Sequence, residues 1–288
     1  MTAYHRTTAA EFHRSMGSIL SQTRAPEQIV VVVDGPVPAE LGRAIRETTV
    51  AHPEVTVEHL PVNLGSGPAS NHGLAIATGD FVARQDSDDI SLEARLERQM
   101  AAIEDHDLDI VGSSLIEFDG DPERVLGVRT APVSSQAIAR RLRINNPVNN
   151  PSMVFRRELA LQVAATSMSS YHEGYDLVAR MIAAGARAEN LPEPLVLFDA
   201  SEGMVARRAG LAMLRHEWLM QRRLLAHGVI GRAGVVRNLV VRGTFRLLPS
   251  RLLTRVYAAV FRRAHDVVGH RHTVGTGRAP SDATHSAP

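Results

Sequence analysis

Three carboxylates within four residues, Asp86-Ser87-Asp88-Asp89, follow directly on the apolar-and-small run Gly79-Asp80-Phe81-Val82-Ala83-Arg84-Gln85. Such a cluster at a strand end is not core, because burying unpaired carboxylates costs several kcal/mol each, so a cation is expected beside it. A divalent metal carrying a diphosphate fits: Mg²⁺ and Mn²⁺ are hard ions that bind through one or two protein carboxylates plus substrate phosphates. The same residues also read as an acidic turn that caps the next helix, with Asp89 or Ser91 as N-cap before Leu92, Leu96, Met100 and Ile103.

Other residues with chemistry to offer also lie at predicted strand ends. Gln28–Val33 is a β-branched run too short for a helix, and Asp34 follows it, ahead of Gly35-Pro36. Its side chain can face a crevice that holds a base or ribose, or it can make an Asx-turn. Gly65-Ser66-Gly67 lacks the third glycine and the following acid of a dinucleotide fingerprint, which argues against a Rossmann dehydrogenase. Positioning these residues requires an α/β fold. A helix at Ala9–Thr23, helices near 38–51, 68–77 and 91–105, and strands near 55–59, 80–85 and 108–113 alternate along the chain. That rhythm predicts a mostly parallel sheet with flanking helices, and ligands gather at the carboxyl ends of such strands. From Ser114 to Arg129 the pattern is extended, with a turn at Gly120-Asp121-Pro122. A helix at 134–143, an Asn- and Pro-rich loop at 145–151, a helix near 174–185 and a strand at Pro194–Asp199 complete an acceptor side.

Composition limits the setting. Cysteine is absent, which removes disulfides and thiolate metal sites and fits a reducing cytoplasm. No apolar run approaches the roughly 20 residues of a membrane helix. The net charge of +1 conceals a split: 17 Arg face 28 acidic residues through position 202, whereas 14 Arg face 2 acids over 203–272. This divides the chain into a body (1–202), a basic helical extension (203–269) and a tail (270–288) with little to bury, predicted to be disordered. Within the extension, Ser250–Val268 and Gly231–Leu248 read as basic amphipathic helices, the second with Val235, Val236, Leu239 and Val240 on one face. Helices of this kind lie in an interface beside anionic lipid, or they pack on the acidic body. Few exposed aromatics and no binding motif argue against nucleic acid.

The order of these pieces resembles family 2 glycosyltransferases of the GT-A fold, in the bacterial branch that builds exopolysaccharide and lipopolysaccharide. The resemblance runs over roughly residues 4 to 200. It is carried by Ser18–Thr23, Ile29–Pro36, Asn63-Leu64-Gly65, Asn71–Leu74, Ala77–Asp80, the acidic cluster, Arg95–Gln99 and Asn150–Arg157. It implies that Asp34 contacts the nucleotide base and that Asn63, Gly65 and Asn71 lie under the nucleotide. Asp86 is implied as a ribose or metal contact and Asp88 as the ligand of Mn²⁺ or Mg²⁺. The implied partners are a nucleotide-diphospho-sugar donor and a glycan or lipid-linked acceptor, met by a peripheral protein at the inner face of the cell membrane. Inversion is implied in the same way.

Three departures stand out. Val33 replaces the first of two acids. A first strand of five or six residues has no room ahead of Tyr4, so it reads as truncated, with residues upstream of Met1 expected. In His172-Glu173-Gly174-Tyr175-Asp176-Leu177 the family's general base falls on Gly174, which leaves Glu173 as its replacement and Asp176 as the second candidate. A non-catalytic nucleotide-sugar-binding protein of the same descent is the competing reading. A nucleotidyltransferase would want a basic phosphate loop near the first strand, which is absent.

Overall fold

The computed structural model describes residues 1–164, 172–200, 211–247 and 262–263. Strands β1 (Thr2–Tyr4), β2 (Ile29–Asp34) and β3 (Val55–Leu60) form an all-parallel sheet. Thr2 pairs with Val32 and Tyr4 with Asp34, so β1 is a strand of three residues at the edge of this sheet. Helix α1 (Ala9–Leu20) opens with a capping box between Thr8 and Glu11 and buries Phe12 and Met16 against Val31 and Val33. Helix α2 (Ala39–Ala51) packs Leu41, Ala44 and Ile45 into the same core, and α3 (Ser66–Ile76) follows β3.

The second sheet is mixed. Strand β4 (Phe81–Ala83) leads to the acidic cluster, after which come β5 (Ile90–Ser91), α4 (Arg95–His106), β6 (Ile110–Asp119) and β7 (Asp121–Arg129). Helix α5 (Ser135–Leu142), β8 (Val154–Arg156), α6 (Arg157–Ala164), α7 (Glu173–Ala183) and β9 (Ala188–Asp199) complete the body. Among the described residues of this sheet only β6 and β9 pair in parallel; β4 with β8, β8 with β6, β6 with β7 and β5 with β9 are antiparallel. The α/β class therefore holds, but the expectation of a mostly parallel sheet applies to the first sheet alone. The reason is local: Gly120, at φ +68°, folds β6 back onto β7 as a hairpin rather than a crossover. A cavity of about 490 Å³, lined by Val30, Val32, Leu74, Phe81 and Val82 among others, lies between β2 and α3 on one side and β4 and α4 on the other.

Two further helices, α8 (Leu211–Ala226) and α9 (Arg232–Leu247), come from the stretch that composition set apart as a basic extension. They are built into the body. Met220, Leu224 and Ile230 share one core with Ile138, Leu142, Tyr175 and Val178. Of the amphipathic helix expected at Ser250–Val268 only Arg262 and Arg263 are described, and they pair as a short strand with Arg129 and Val128 of β7, not as a helix; the rest of it and the tail expected to be disordered lie outside the described residues. The apolar residues expected on one face of α9 divide. Val235 and Leu239 are half-buried toward the body, whereas Val236 and Val240 are each 63% exposed.

Candidate active site

Asp34 is the last residue of β2 and is buried. Its carboxylate accepts hydrogen bonds from the backbone N–H groups of Leu64 (2.7 Å) and Gly65 (2.9 Å), and Asn63 Nδ2 donates to its carbonyl at 3.0 Å. Three of the expected nucleotide-side residues, Asp34, Asn63 and Gly65, thus form one unit in which the aspartate shapes the loop that starts α3. The Asx-turn alternative gives way to this longer-range contact. Gly35, at φ +82°, is needed here, because a Cβ would stand 2.5 Å from Asn63 N. Asn71 lies on α3, with Oδ1 buried and without a hydrogen-bond partner.

The acidic cluster sits at the end of β4, held from below by a polar network that sequence reading did not assign. Arg95, fully buried at the start of α4, donates to Gln85 Oε1 (2.9 Å), Ser91 Oγ (2.8 Å), Gln99 Oε1 (3.0 Å) and the Arg84 carbonyl (2.7 Å). Gln85 Nε2 in turn donates to Ser15 Oγ and to the Asp89 carbonyl. Burial pushes Arg95 down to about 10, opposed by Asp89 and Asp86, so it stays charged at neutral pH. Its spacing to Gln99, one helical turn, was the available signal. Replacing Arg95 with methionine removes the donor of four hydrogen bonds at once, leaving Gln85 Oε1 only the Ser91 hydroxyl, and is expected to lower stability by about 3 kcal/mol or more. Urea unfolding of the variant, followed by circular dichroism, checks this.

The helix-cap alternative for Asp89 and Ser91 does not hold. Helix α4 starts later, with Ala94 as N-cap and no capping side chain. Asp89 instead turns inward, where its Oδ1 accepts from Asp199 N at 3.0 Å and its Oδ2 is buried without a hydrogen-bond partner. Ser91 belongs to the Arg95 network. Asp86 and Asp88 stay partly exposed at the mouth. Burial, then the charge of Asp86, pushes the Asp88 carboxyl up to about 6, and burial with the charges of Asp86 and Asp88 raises Asp89 as well. Like charges crowded in this way call for a cation, so Asp86 and Asp88 fit a divalent metal. Among the described residues no group of three or more His, Cys, Asp or Glu side chains gathers to hold a metal ion.

The acceptor side meets the acidic cluster through Arg84. Its Nη2 lies 3.4 Å from Glu173 Oε1 and 3.8 Å from Asp86 Oδ1. The structure thereby sets Glu173, at the start of α7, against the same arginine that faces Asp86, with its side chain 11% exposed. Asp176 is elsewhere. Its side chain is 1% exposed and pairs with Arg180 one turn on and with Arg223 of α8 at 3.1 Å. A carboxylate locked between two guanidinium groups under a helix is a packing element, so Asp176 is withdrawn as a candidate base. The substitution at Gly174 also gains a reason: a Cβ there would stand 1.7 Å from Asn150 Oδ1, so this asparagine occupies the space of the missing side chain.

A three-stranded parallel sheet beside a larger mixed sheet, with helices on their faces, is an architecture that known proteins share. The profile of glycosyl transferase family 2 matches residues 1–163. The chain belongs to that family. Among relatives of this family 2 glycosyltransferase, the amylovoran biosynthesis glycosyltransferase AmsE of Erwinia amylovora is 31% identical, over 89% of this chain and 96% of the relative. A UDP-Gal:alpha-D-GlcNAc-diphosphoundecaprenol beta-1,3-galactosyltransferase of Escherichia coli is 26% identical, over 91% and 95%. The GT-A fold is shared with S. aureus TarS 1-349 in complex with UDP-GlcNAc (TM-score 0.64, 17% identity, 90% of this chain and 72% of that one). It is also shared with the mannosyltransferase PcManGT from Pyrobaculum calidifontis in complex with GDP-Man and Mn²⁺ (TM-score 0.57, 16% identity, 90% and 78%).

Proposed function

We propose that this glycosyltransferase moves a sugar from a nucleotide-diphosphate donor to a hydroxyl of a lipid-linked glycan, with inversion, in the building of a bacterial surface polysaccharide. The observation that carries the reading is the meeting of Asp86 and Glu173 across Arg84, which sets a metal-suited acidic cluster opposite a carboxylate able to take a proton. Donors named for the structural neighbours, a lipid-diphosphate acceptor named for the Escherichia coli relative and a polysaccharide named for AmsE support it. Asp34, Asn63, Gly65 and Asn71 hold the nucleotide, Asp86 and Asp88 hold Mn²⁺ or Mg²⁺, and Glu173 accepts the proton of the acceptor hydroxyl. The metal, when bound, stabilises the negative charge that collects on the departing diphosphate. Donor hydrolysis over a panel of UDP- and GDP-sugars, with Mn²⁺ and with chelator, is the test. Mn²⁺-dependent release of the nucleoside diphosphate is expected, and release unaffected by chelator would overturn the metal assignment.

The membrane-facing side is α9. Among the described residues no helix is long and apolar enough to cross a membrane. Exposed Val236, Val240 and Val241 form a stripe flanked by exposed Arg232 and Arg237, the arrangement of a helix that lies on anionic lipid. Removing α9 altogether would confuse the test, because its inner face is part of the core. Val236→Asp combined with Val240→Asp leaves that inner face intact and is expected to abolish flotation with anionic vesicles. Parental flotation should weaken as salt rises above the roughly 8 Å screening regime of physiological ionic strength. Equal flotation of the two proteins would put the contact elsewhere.

A further inference from the structure

Behind α7 lies a set of buried charges that the proposed chemistry does not use. Glu217 of α8 has a side chain 1% exposed, paired with Arg242 of α9 and 3.6 Å from His172 Nε2. Gln221 Nε2 donates to Glu217 Oε1 at 3.0 Å, and Asn238 Nδ2 donates both to Gln221 Oε1 and to the Arg143 carbonyl, each at 2.8 Å. Arg242 Nη1 also donates to the Ile144 carbonyl at 2.9 Å and to Asn145 Oδ1 at 3.1 Å. The network ends at His172, the residue directly before Glu173. His172 holds φ +73°, a left-handed backbone that is costly for a side chain of this kind, and it caps α7 without a side-chain capping bond.

Burying ion pairs where apolar packing would serve is a poor route to stability, but it fixes direction, because charges and hydrogen bonds tolerate little rotation. We propose that α8 and α9, which lie beyond the part of the chain that the family profile matches, position the base. Arg242 clamps Glu217, the Glu217 carboxylate faces the His172 ring at 3.6 Å as an electrostatic contact, and the left-handed His172 sets the direction in which Glu173 leaves α7 toward Arg84. Glu217, Arg242 and His172 are positioning residues for activation of the acceptor. This rests on the reading of Glu173 as the base, and the test separates the two.

Glu217→Gln, and His172→Asn, which removes the ring while asparagine tolerates the left-handed backbone, are assayed for sugar transfer to a membrane extract of lipid-linked acceptors. Each is expected to lower kcat about fivefold to tenfold, the low end for impaired general-base help. KM for the donor, and the affinity for UDP or GDP with Mn²⁺ measured by calorimetry, should not move. The deciding measurement is the double-mutant cycle with Glu173→Gln. Once the base is gone its direction is irrelevant, so adding Glu217→Gln or His172→Asn to Glu173→Gln should cost no further rate. Effects that multiply, or parental kcat in both single variants, would overturn the positioning role while leaving Glu173 as base. A parental rate in Glu173→Gln would overturn the base itself and this inference with it. If Glu217→Gln fails to fold, the cycle with His172→Asn decides.

Discussion

Asp88→Asn is expected to abolish Mn²⁺-dependent donor binding and at the same time to stabilise the metal-free protein. Loss of a partner one shell removed from a metal costs about 10–100-fold, so loss of a ligand should weaken the affinity for a nucleoside diphosphate with Mn²⁺ by about a hundredfold or more. The gain in stability follows from the raised carboxyl. Burial and the charge of Asp86 lift Asp88 from 3.8 to about 6, so the folded state binds its proton more tightly than the unfolded state does. The stability this group supports is therefore fully present below pH 3.8 and lost as pH rises through about 6. A shift of about two units corresponds to about 3 kcal/mol. Asparagine carries no such charge, so urea unfolding should show the variant gaining on the parent by about that amount between pH 4 and 7. Mn²⁺ with nucleoside diphosphate should reverse the order, because ligand bound only to the folded parent stabilises it. An unchanged calorimetric affinity in Asp88→Asn would end the metal assignment.

Glu173→Gln is expected to lower transfer at least about tenfold while donor affinity stays parental, the signature of a lost general base. Glutamine keeps an oxygen that can accept from Arg84, so the Asp86 side of the cleft is undisturbed. The structure changes what to expect of Gly174→Asp, which by family pattern alone should raise the rate. With Asn150 Oδ1 standing 1.7 Å from the new Cβ, the substitution overpacks the start of α7. A loss of about 1–3 kcal/mol is expected instead. Paired with Asn150→Gly, which vacates the space, Gly174→Asp should recover stability and then increase transfer. Steady-state rates and thermal melts of the single and paired variants check both parts. A gain in rate from Gly174→Asp alone, without loss of stability, would show that Asn150 yields freely.

Much of this protein is local information, and local information is legible. Periodicity marked α1, α2 and β2, because apolar spacing at 3.6 or 2 residues is set by elements that bury one face. The crowding of Asp86, Ser87, Asp88 and Asp89 after an apolar run marked the strand end at which a cation is expected, and the ordered motifs marked the family. Asp34, Asn63 and Gly65 were read as neighbours by resemblance, and the structure shows the hydrogen bonds that make them so. Charge composition separated the basic helices from the body, but it said nothing of where they sit. The hairpin of β6 and β7 was visible as an extended stretch with a turn, whereas the antiparallel pairings of β4 with β8 and β8 with β6 were not, since strand partners are chosen by the whole sheet.

The tertiary structure alone decided what surrounds each carboxylate. Glu173 and Asp176 are three residues apart and chemically alike; helical spacing puts Glu173 nearer to the position of Gly174, but it gives neither residue's surroundings. One reaches Arg84, 89 positions earlier in the chain, and the other is closed off by Arg223, 47 positions later. Arg95 and Glu217 are charged residues that local pattern places on a helix surface, yet both are buried, because partners distant in sequence satisfy them. A side chain's chemistry is fixed by its type, but its charge, direction and access to water depend on neighbours brought by folding, and those contacts leave no periodic trace along the chain.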